Sequence, residues 1–552
     1  MNRRTVDASN AGMTADERRV ILASSLGTAF EWYDFFLAGG LAGEISKHIF
    51  SGVNPQAAFI FTLLSFAAGF AVRPLGAVVF GRLGDLVGRK HTFLVTIVLM
   101  GAATFVIGLL PGYGTLGLLA PIIFVGVRMI QGLALGGEYG GAVTYVAEHA
   151  PHGKRGAWTS WIQVTASLGL LLALGIILIL RLSLGETSFA EWGWRIPFLF
   201  SLVLLGISVW IRLKLSESPA FLRMKTEGTL SKAPLAEAFA RWRYLRLVLI
   251  AFFGLAMGQA VVWYTGQFYS LFFLTQVLKV DGATANVIIV VATIVTAPLY
   301  VLFGTLSDRI GRKPLFLAGC TLAVITFFPM YQALTHFANP ALEAAQKQSP
   351  VVVLADPANC SFQFNPVGTA KFTTSCDIAR SSLSKSGLSF DTRTAPPGAV
   401  AAIHVGQTVV ESYDGTAADA NERGKVFTEA LAAALKHAGY ASKADPAAMN
   451  LPMTIVIVVL LMVCGTMTYG PLAAMFVEIF PTRIRYTAMS LPYHVGIGWF
   501  GGFLPATTFA IVAATGDIYS GLWYPVGTAA VSAVICLLFM KETRDVDIHA
   551  VE

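Results

Sequence analysis

Charge is what this sequence has least of. Only 13% of its 552 residues are Asp, Glu, Lys or Arg, against about 25% in a soluble globular chain. Cysteine is scarce too: Cys320, Cys360, Cys376, Cys464 and Cys536 are the whole set, and none has the spacing of metal ligands. His404 and His437 add no metal site by spacing. No nucleophile constellation and no phosphate-cradling glycine loop is present, so neither an enzyme nor a cofactor is expected. The net charge of +7 does not indicate a nucleic-acid partner, because the basic residues sit in alternate short loops and not on one face.

Long apolar runs fill the space that charge leaves. The chain is 55% hydrophobic, with a mean hydropathy of +0.65, and a membrane-spanning helix needs about 20 mostly apolar residues. Twelve such runs are read at 20–43, 57–80, 91–111, 117–145, 157–181, 195–212, 245–274, 283–304, 314–335, 452–476, 486–514 and 520–540. The lipid bilayer is therefore the expected surroundings. Residues 1–19 are polar, carry four arginines and lack a signal peptide's cleavage pattern, so the first run reads as a retained signal-anchor. Short loops on one side hold few basic residues: Lys47, Arg181, Arg195 and Lys279. The other loops hold most of the rest, which places both termini in the cytoplasm.

One short stretch occurs twice. Gly81 to Lys90 reads G-R-L-G-D-L-V-G-R-K, and Gly304 to Lys313 reads G-T-L-S-D-R-I-G-R-K. Gly81/Gly304, Asp85/Asp308, Gly88/Gly311, Arg89/Arg312 and Lys90/Lys313 coincide. A second pattern also recurs: Glu148, Pro151 and Arg155 follow the fourth run, and Glu478, Pro481 and Arg485 follow the tenth. The chain is thus two related halves, a mark of secondary transporters, which bind substrate at the interface between repeats. Acid before base at four residues' spacing makes Asp85–Arg89 and Asp308–Arg312 favourable pairs. They are read as latches of a cytoplasmic gate, together with Glu148, Arg155, Glu478 and Arg485; a bare topology signal is the alternative.

The two motifs repeat at different offsets, 223 residues (Gly81 to Gly304) and 330 (Glu148 to Glu478). About a hundred residues are therefore inserted in the second half, and composition puts them at 336–450, outside the membrane. The expected domains are an N-tail at 1–19, a first bundle at 20–212 and a central cytoplasmic loop at 213–244. A second bundle follows at 245–540, interrupted by the 336–450 cap, and then a C-tail at 541–552. Within the cap, Val351–Leu354 reads as a strand and Glu422–His437 as a helix. Cys360 and Cys376 both lie there; a disulfide and two unpaired thiols are both compatible with the sequence.

Ionisable residues inside a span cost roughly 2.5–3.5 kcal/mol on insertion scales and mark function by default. Glu31 and Asp34 share a face of the first span, Arg73 lies in the second, and Arg128, Gln131 and Glu138 lie along one face of the fourth. The bland reading has the arginines neutralise the acids and hold helices together, or Arg73 serve the loop beside it. The sharp reading makes Asp34, Glu31 or Glu138 a proton carrier and an arginine the receptor for an anionic substrate, since burial and a nearby arginine pull a carboxyl's pKa in opposite directions. Gln259, Tyr264, Tyr493 and His494 are further candidate substrate contacts, with packing as their alternative. Gly136, Gly137, Gly140 and Gly141 are read as close-approach positions between helices.

These motifs resemble those of the major facilitator superfamily and, within it, the metabolite:proton symporter family. The duplicated loop carries the superfamily likeness. The family likeness rests on E-W-Y-D-F-F at 31–36, R-P-L-G-A-V-V-F-G-R-L-G-D at 73–85, R-M-I-Q-G-L-A-L-G-G-E-Y-G-G-A at 128–142 and E-I-F-P-T-R-I-R-Y-T-A-M-S at 478–490. The 336–450 insertion departs from the pattern. The resemblance implies an all-α membrane fold of twelve helices in two six-helix bundles, working as a monomer in the inner membrane. It also implies cotransport of protons with a small polar metabolite such as citrate, 2-oxoglutarate, a shikimate-type acid, proline or a betaine. An organic acid is the leading expectation. A proton-independent facilitator or exporter, and a membrane sensor using the outer cap, are the alternatives.

Overall fold

The computed structural model describes residues 15–52, 55–151, 153–213, 217, 219–229, 231–361 and 373–548. Nine helices among the described residues are long and apolar enough to cross a membrane. In lipid a helix satisfies its own backbone groups, which makes it the stable form of a charge-poor run. The long helices are α1 (Ala15–Gly40), α2 (Pro55–Leu86), α3 (Arg89–Leu109), α4 (Leu119–His149), α5 (Arg155–Glu191), α6 (Ile196–Leu213), α7 (Trp242–Val277), α8 (Gly282–Ile310), α9 (Arg312–Ala338) and α10 (Leu451–Ile479). α11 runs from Arg485 to Thr515 in pieces, and α12 is Trp523–Phe539. The first, second and eleventh expected spans are not among the nine. α11 misses the length because a turn at Gly502–Phe503 interrupts it, leaving 17 helical residues before (485–501) and Leu504–Thr515 after.

Helix ends follow the local chemistry. Asp281 caps α8 through the Thr284 N–H, and Asn450 caps α10 through the Met453 N–H. The sharp turns α2/α3 and α8/α9 fall on Gly88 (φ +129°) and Gly311 (φ +104°), backbone that other residues rarely adopt. α5 breaks at Gly185, where φ is +75°. α7 contains three π-turns, Phe252–Ala256, Thr265–Tyr269 and Phe273–Val277, a feature frequent at functional sites.

α2 packs on α4 and α1 on α5 within the first half, while α10 packs on α8 and α9 in the second. The halves meet where α5 lies along α8 and α2 along α11. A Cβ at Gly136 would strike the Arg73 carbonyl, and one at Gly140 would strike Ser490 and Tyr486 of the other half. The close-approach reading of these glycines therefore includes the seam itself.

The inserted segment holds a four-stranded sheet, so the molecule is not all-α outside the membrane helices. Its strands are β1 (Val351–Ala355), β2 (Phe390–Thr394), β3 (Ala402–Val405) and β4 (Thr408–Glu411). Their order is β2-β1-β3-β4, with β1–β2 parallel and the other pairs antiparallel. Helices Ser375–Lys385 and Ala420–His437 accompany the sheet. Backbone N–H groups of Gly398 and Ala358 hold the Asp356 carboxyl below its ordinary range. Cys360 and Cys376 form a disulfide, with Cα atoms 5.2 Å apart. The cap is tied to the ends of second-half helices: Phe390 N–H donates to Gly516 at 2.7 Å, Ala444 N–H to Lys279 at 3.0 Å, and Arg380 to Ala514.

Candidate functional site: buried charges between two halves

Charged side chains gather at four places. The first lies within the first half. Arg212, at the end of α6, reaches Glu31 Oε1 from α1 and Glu138 Oε1 from α4, each at 3.3 Å. Its guanidinium stacks on Phe93 and donates to the Phe93 carbonyl at 3.2 Å. All three ionised groups are buried. Sequence reasoning missed Arg212, because a basic residue at a span's end looks like a topology signal. It also grouped Glu138 with Arg128 and Gln131; the structure sends Glu138 to Arg212 instead.

A second cluster forms around Asp34. Thr104 of α3 hydrogen-bonds the Asp34 side chain and accepts from Gln131 Nε2 at 2.7 Å. Gln131 Oε1 in turn accepts from Arg128 Nη1 at 2.5 Å. Arg128 also lies over the Phe35 ring at 5.0 Å. Asp34 Oδ1 is buried and has no hydrogen-bond partner among the described residues. Glu31 and Asp34 thus part company, one in an ion-pair cluster and the other at the end of a hydroxyl–amide–guanidinium chain.

The third place is the seam between the halves. Arg73 is 0% exposed, and none of its three guanidinium nitrogens has a hydrogen-bond partner of good geometry. Trp32 and Phe70 flank it at 5.7 and 5.3 Å. From the other half Tyr264, Tyr469, Tyr493 and His494 interact with it electrostatically. No acid pairs with it among the described residues, and the Tyr264 side chain hydrogen-bonds it from the other half. Tyr493 stacks on Tyr139 of the first half at 3.5 Å and shares a 2.7 Å hydrogen bond with Tyr469. Both ring nitrogens of His494, and Gln259 Oε1, are buried without a hydrogen-bond partner among the described residues. Tyr264 stacks edge-on to Phe70 across the seam.

Where the α2/α3 and α8/α9 turns meet the opposite half, the duplicated motifs cross from half to half. Asp85 accepts the Thr487 N–H and hydroxyl of α11 at 2.9 and 2.7 Å. Asp308 accepts the Gly156 and Ala157 N–H groups of α5 at 2.9 and 2.8 Å. Each acid therefore sits at the N-terminus of a helix in the opposite half, where the helix dipole favours it. Glu148 pairs with Arg485 at 2.9 Å, and Glu478 with Arg155 at 3.4 Å and Arg312 at 3.2 Å. Asp308 and Arg312 pair at 2.6 Å, as their spacing suggests. The Arg89 side chain lies outside the described residues, so the Asp85–Arg89 pair does too. Gly81 approaches Thr487 closely: a Cβ there would lie 3.2 Å from the Thr487 Cα.

This arrangement is the major facilitator fold. The MFS proton:xylose symporter XylE, bound to 6-bromo-6-deoxy-D-glucose, superposes with a TM-score of 0.64 over 97% of this chain and 98% of its own, at 16% identity. The sugar (and other) transporter family matches residues 20–241 and 430–552, and the chain belongs to that family. It is 36% identical over 321 residues to the proline/betaine transporter of Escherichia coli (strain K12), covering 57% of this chain and 64% of that protein. It is 35% identical over 323 residues to the shikimate transporter of the same organism, covering 57% of this chain and 72% of the relative. The chain thus spans less than two thirds of the length of the proline/betaine transporters it matches.

Proposed function

We propose that this protein is a proton-coupled secondary transporter that carries a small organic acid across the inner membrane by alternating access. The observation behind this reading is Arg73, a fully buried guanidinium at the seam of two halves that has the Tyr264 hydroxyl beside it and no acidic partner among the described residues. Buried polar groups are normally satisfied, and a membrane-buried cation is costly. A substrate carboxylate at Arg73 offsets that cost, while Trp32, Tyr264, Tyr493, His494 and Gln259 supply stacking faces and hydrogen bonds for the rest of a small molecule. The related shikimate transporter is named for an acid, which agrees with this choice.

Asp34 is the proton carrier in this reading. One of its oxygens is buried and unpartnered, and the other side of the group leads through Thr104 and Gln131 to Arg128. A carboxylate so placed exchanges a hydrogen-bond chain for a proton as the halves rock. Glu31 and Glu138, bound to Arg212, hold the first half together and are second in line. Residues 20–212 and 245–540 act as the two six-helix bundles of a monomer, with both termini in the cytoplasm. The inner-loop contacts form the gate that is closed in this conformation.

Uptake of radiolabelled acids, amino acids and betaines into proteoliposomes under an imposed proton gradient tests the reading. A carboxylate substrate is taken up by the protein, and Arg73→Gln loses that uptake while the folded yield is kept. Equal uptake by the variant removes Arg73 from the substrate site.

A further inference from the structure

The segment that follows α12 does not leave the molecule at the inner face. It turns across the seam. Thr543 Oγ1 donates to Glu478 Oε2 at 2.7 Å, the carboxylate that also receives Arg155 and Arg312. The Val546 carbonyl accepts from Arg155 Nη1 at 2.6 Å. The Ile548 carbonyl accepts from Arg485 Nη2 at 3.0 Å and from the Thr482 hydroxyl at 2.7 Å. The Ile548 side chain is 2% exposed. Arg544 anchors the middle of the run through the Arg309 carbonyl at 2.7 Å.

We infer that Thr543–Ile548 is a strap that docks in cis into a groove lined by Arg155, Glu478, Thr482 and Arg485, and that it must leave this groove before the inner gate opens. The inference rests on the alternating-access reading above. Arg155 belongs to the first half, and the strap is continuous with α12 of the second. The Arg155–Val546 bond therefore spans the seam and breaks whenever the halves part. Arg485 divides its guanidinium between Glu148 across the seam and the Ile548 carbonyl, so the strap also holds Arg485 in the geometry of its ion pair. Backbone carbonyls as acceptors add contacts without adding charge to a crowded ionic cluster. A buried Ile at the end of a polar segment fixes its register in the groove.

The occupancy of the groove sets which way the transporter faces, and that is measurable without substrate. Spin labels at Arg82→Cys and Arg309→Cys, both exposed positions on opposite halves, report the inner opening in nanodiscs. Ile548→Asp, and Gly-Ser replacement of 543–548, should raise the inside-open population by about tenfold or more, with Ile548→Val unchanged. Unaltered distance distributions in both disrupted variants overturn the strap. A second test works in the opposite direction, on a chain whose fold is undisturbed. Ile548→Cys with Thr482→Cys tethers the segment on oxidation. The spin-labelled tethered protein should then lose its inside-open population, and reduction should restore it, single-cysteine variants serving as controls. An inside-open population that survives the formed cross-link contradicts the proposal. Because the readout is a distance, a failure of the transport reading leaves these outcomes distinguishable.

Discussion

After α6 the chain passes Glu217, whose carboxylate receives the Lys90 N–H at 3.2 Å. After α12 it passes Glu542, which receives the N–H groups of Arg312 and Lys313 at 2.9 and 3.1 Å. The two lysines answer in kind. Lys90 Nζ donates to the Leu213 carbonyl at 3.2 Å, and Lys313 Nζ to the Leu537 and Met540 carbonyls at 2.8 and 2.7 Å. Each copy of the motif thus clips its loop to the C-terminal end of a helix, where a cation is favoured. Beyond the clips the copies diverge. The first continues into helix Pro219–Glu227, with Phe221 and Met224 buried; the second continues into the gate. Within each half the duplication maintains the loop. What crosses between halves depends on the flanking segments as well.

The sharpest way to break this comparison is to remove the acid where the second copy, α5 and the strap converge. Glu478→Gln leaves Arg155 buried without its carboxylate and Arg312 with Asp308 alone, a change of about 3–5 kcal/mol. Chemical unfolding in detergent should register it together with a rise in inside-open molecules. Arg212→Gln should cost a similar amount, about 3–5 kcal/mol, since Glu31 and Glu138 are left buried. Its ion-pair and hydrogen-bond partners among the described residues all lie within the first half, so spin-label distances across the seam should hold while stability falls. If those distances change as they do for Glu478→Gln, the separation between intra-half and inter-half clusters is wrong.

Asp85→Asn and Asp308→Asn test whether the two copies do equal work at the seam. Each weakens charge-assisted hydrogen bonds to a helix N-terminus in the other half, about 1.5–3 kcal/mol. Transport rates should change in parallel while membrane insertion stays normal. Smaller still, Glu217→Gln and Glu542→Gln should each lower stability by about 0.5–1.5 kcal/mol, read from paired melting curves. The Glu542 variant should also loosen the strap, and the Glu217 variant should not.

Much of this was legible in the sequence because lipid imposes strict rules. Charge-poor runs located the nine helices among the described residues that are long and apolar enough to cross a membrane, and the duplicated G-x-x-x-D-x-x-G-R-K loop located two matching helix turns at Gly88 and Gly311. Other features depend on contacts that no spacing encodes. Arg212 reads as a loop residue until α6 is seen to bring it between Glu31 and Glu138. Asp85 is read from its spacing as one half of a latch with Arg89, but its contact with the Thr487 N–H and hydroxyl at the start of α11 exists only because α2 and α11 pack along the seam. β2, β3 and β4 of the cap escaped notice: each is four or five residues long, too short for alternation to stand out from a polar background. The strap was hidden for a simpler reason. Its acceptors are main-chain carbonyls at Val546 and Ile548, and these belong to every residue alike.

Internal acidification of proteoliposomes loaded with a pH-sensitive dye tests the central claim most directly. On addition of a small organic acid outside, under conditions where its passive entry as the neutral acid is negligible, the lumen should acidify. Asp34→Asn should abolish the acidification while Arg212-dependent stability is kept. Uptake of the acid with no change in lumenal pH, or acidification undiminished in Asp34→Asn, would contradict proton coupling through this site.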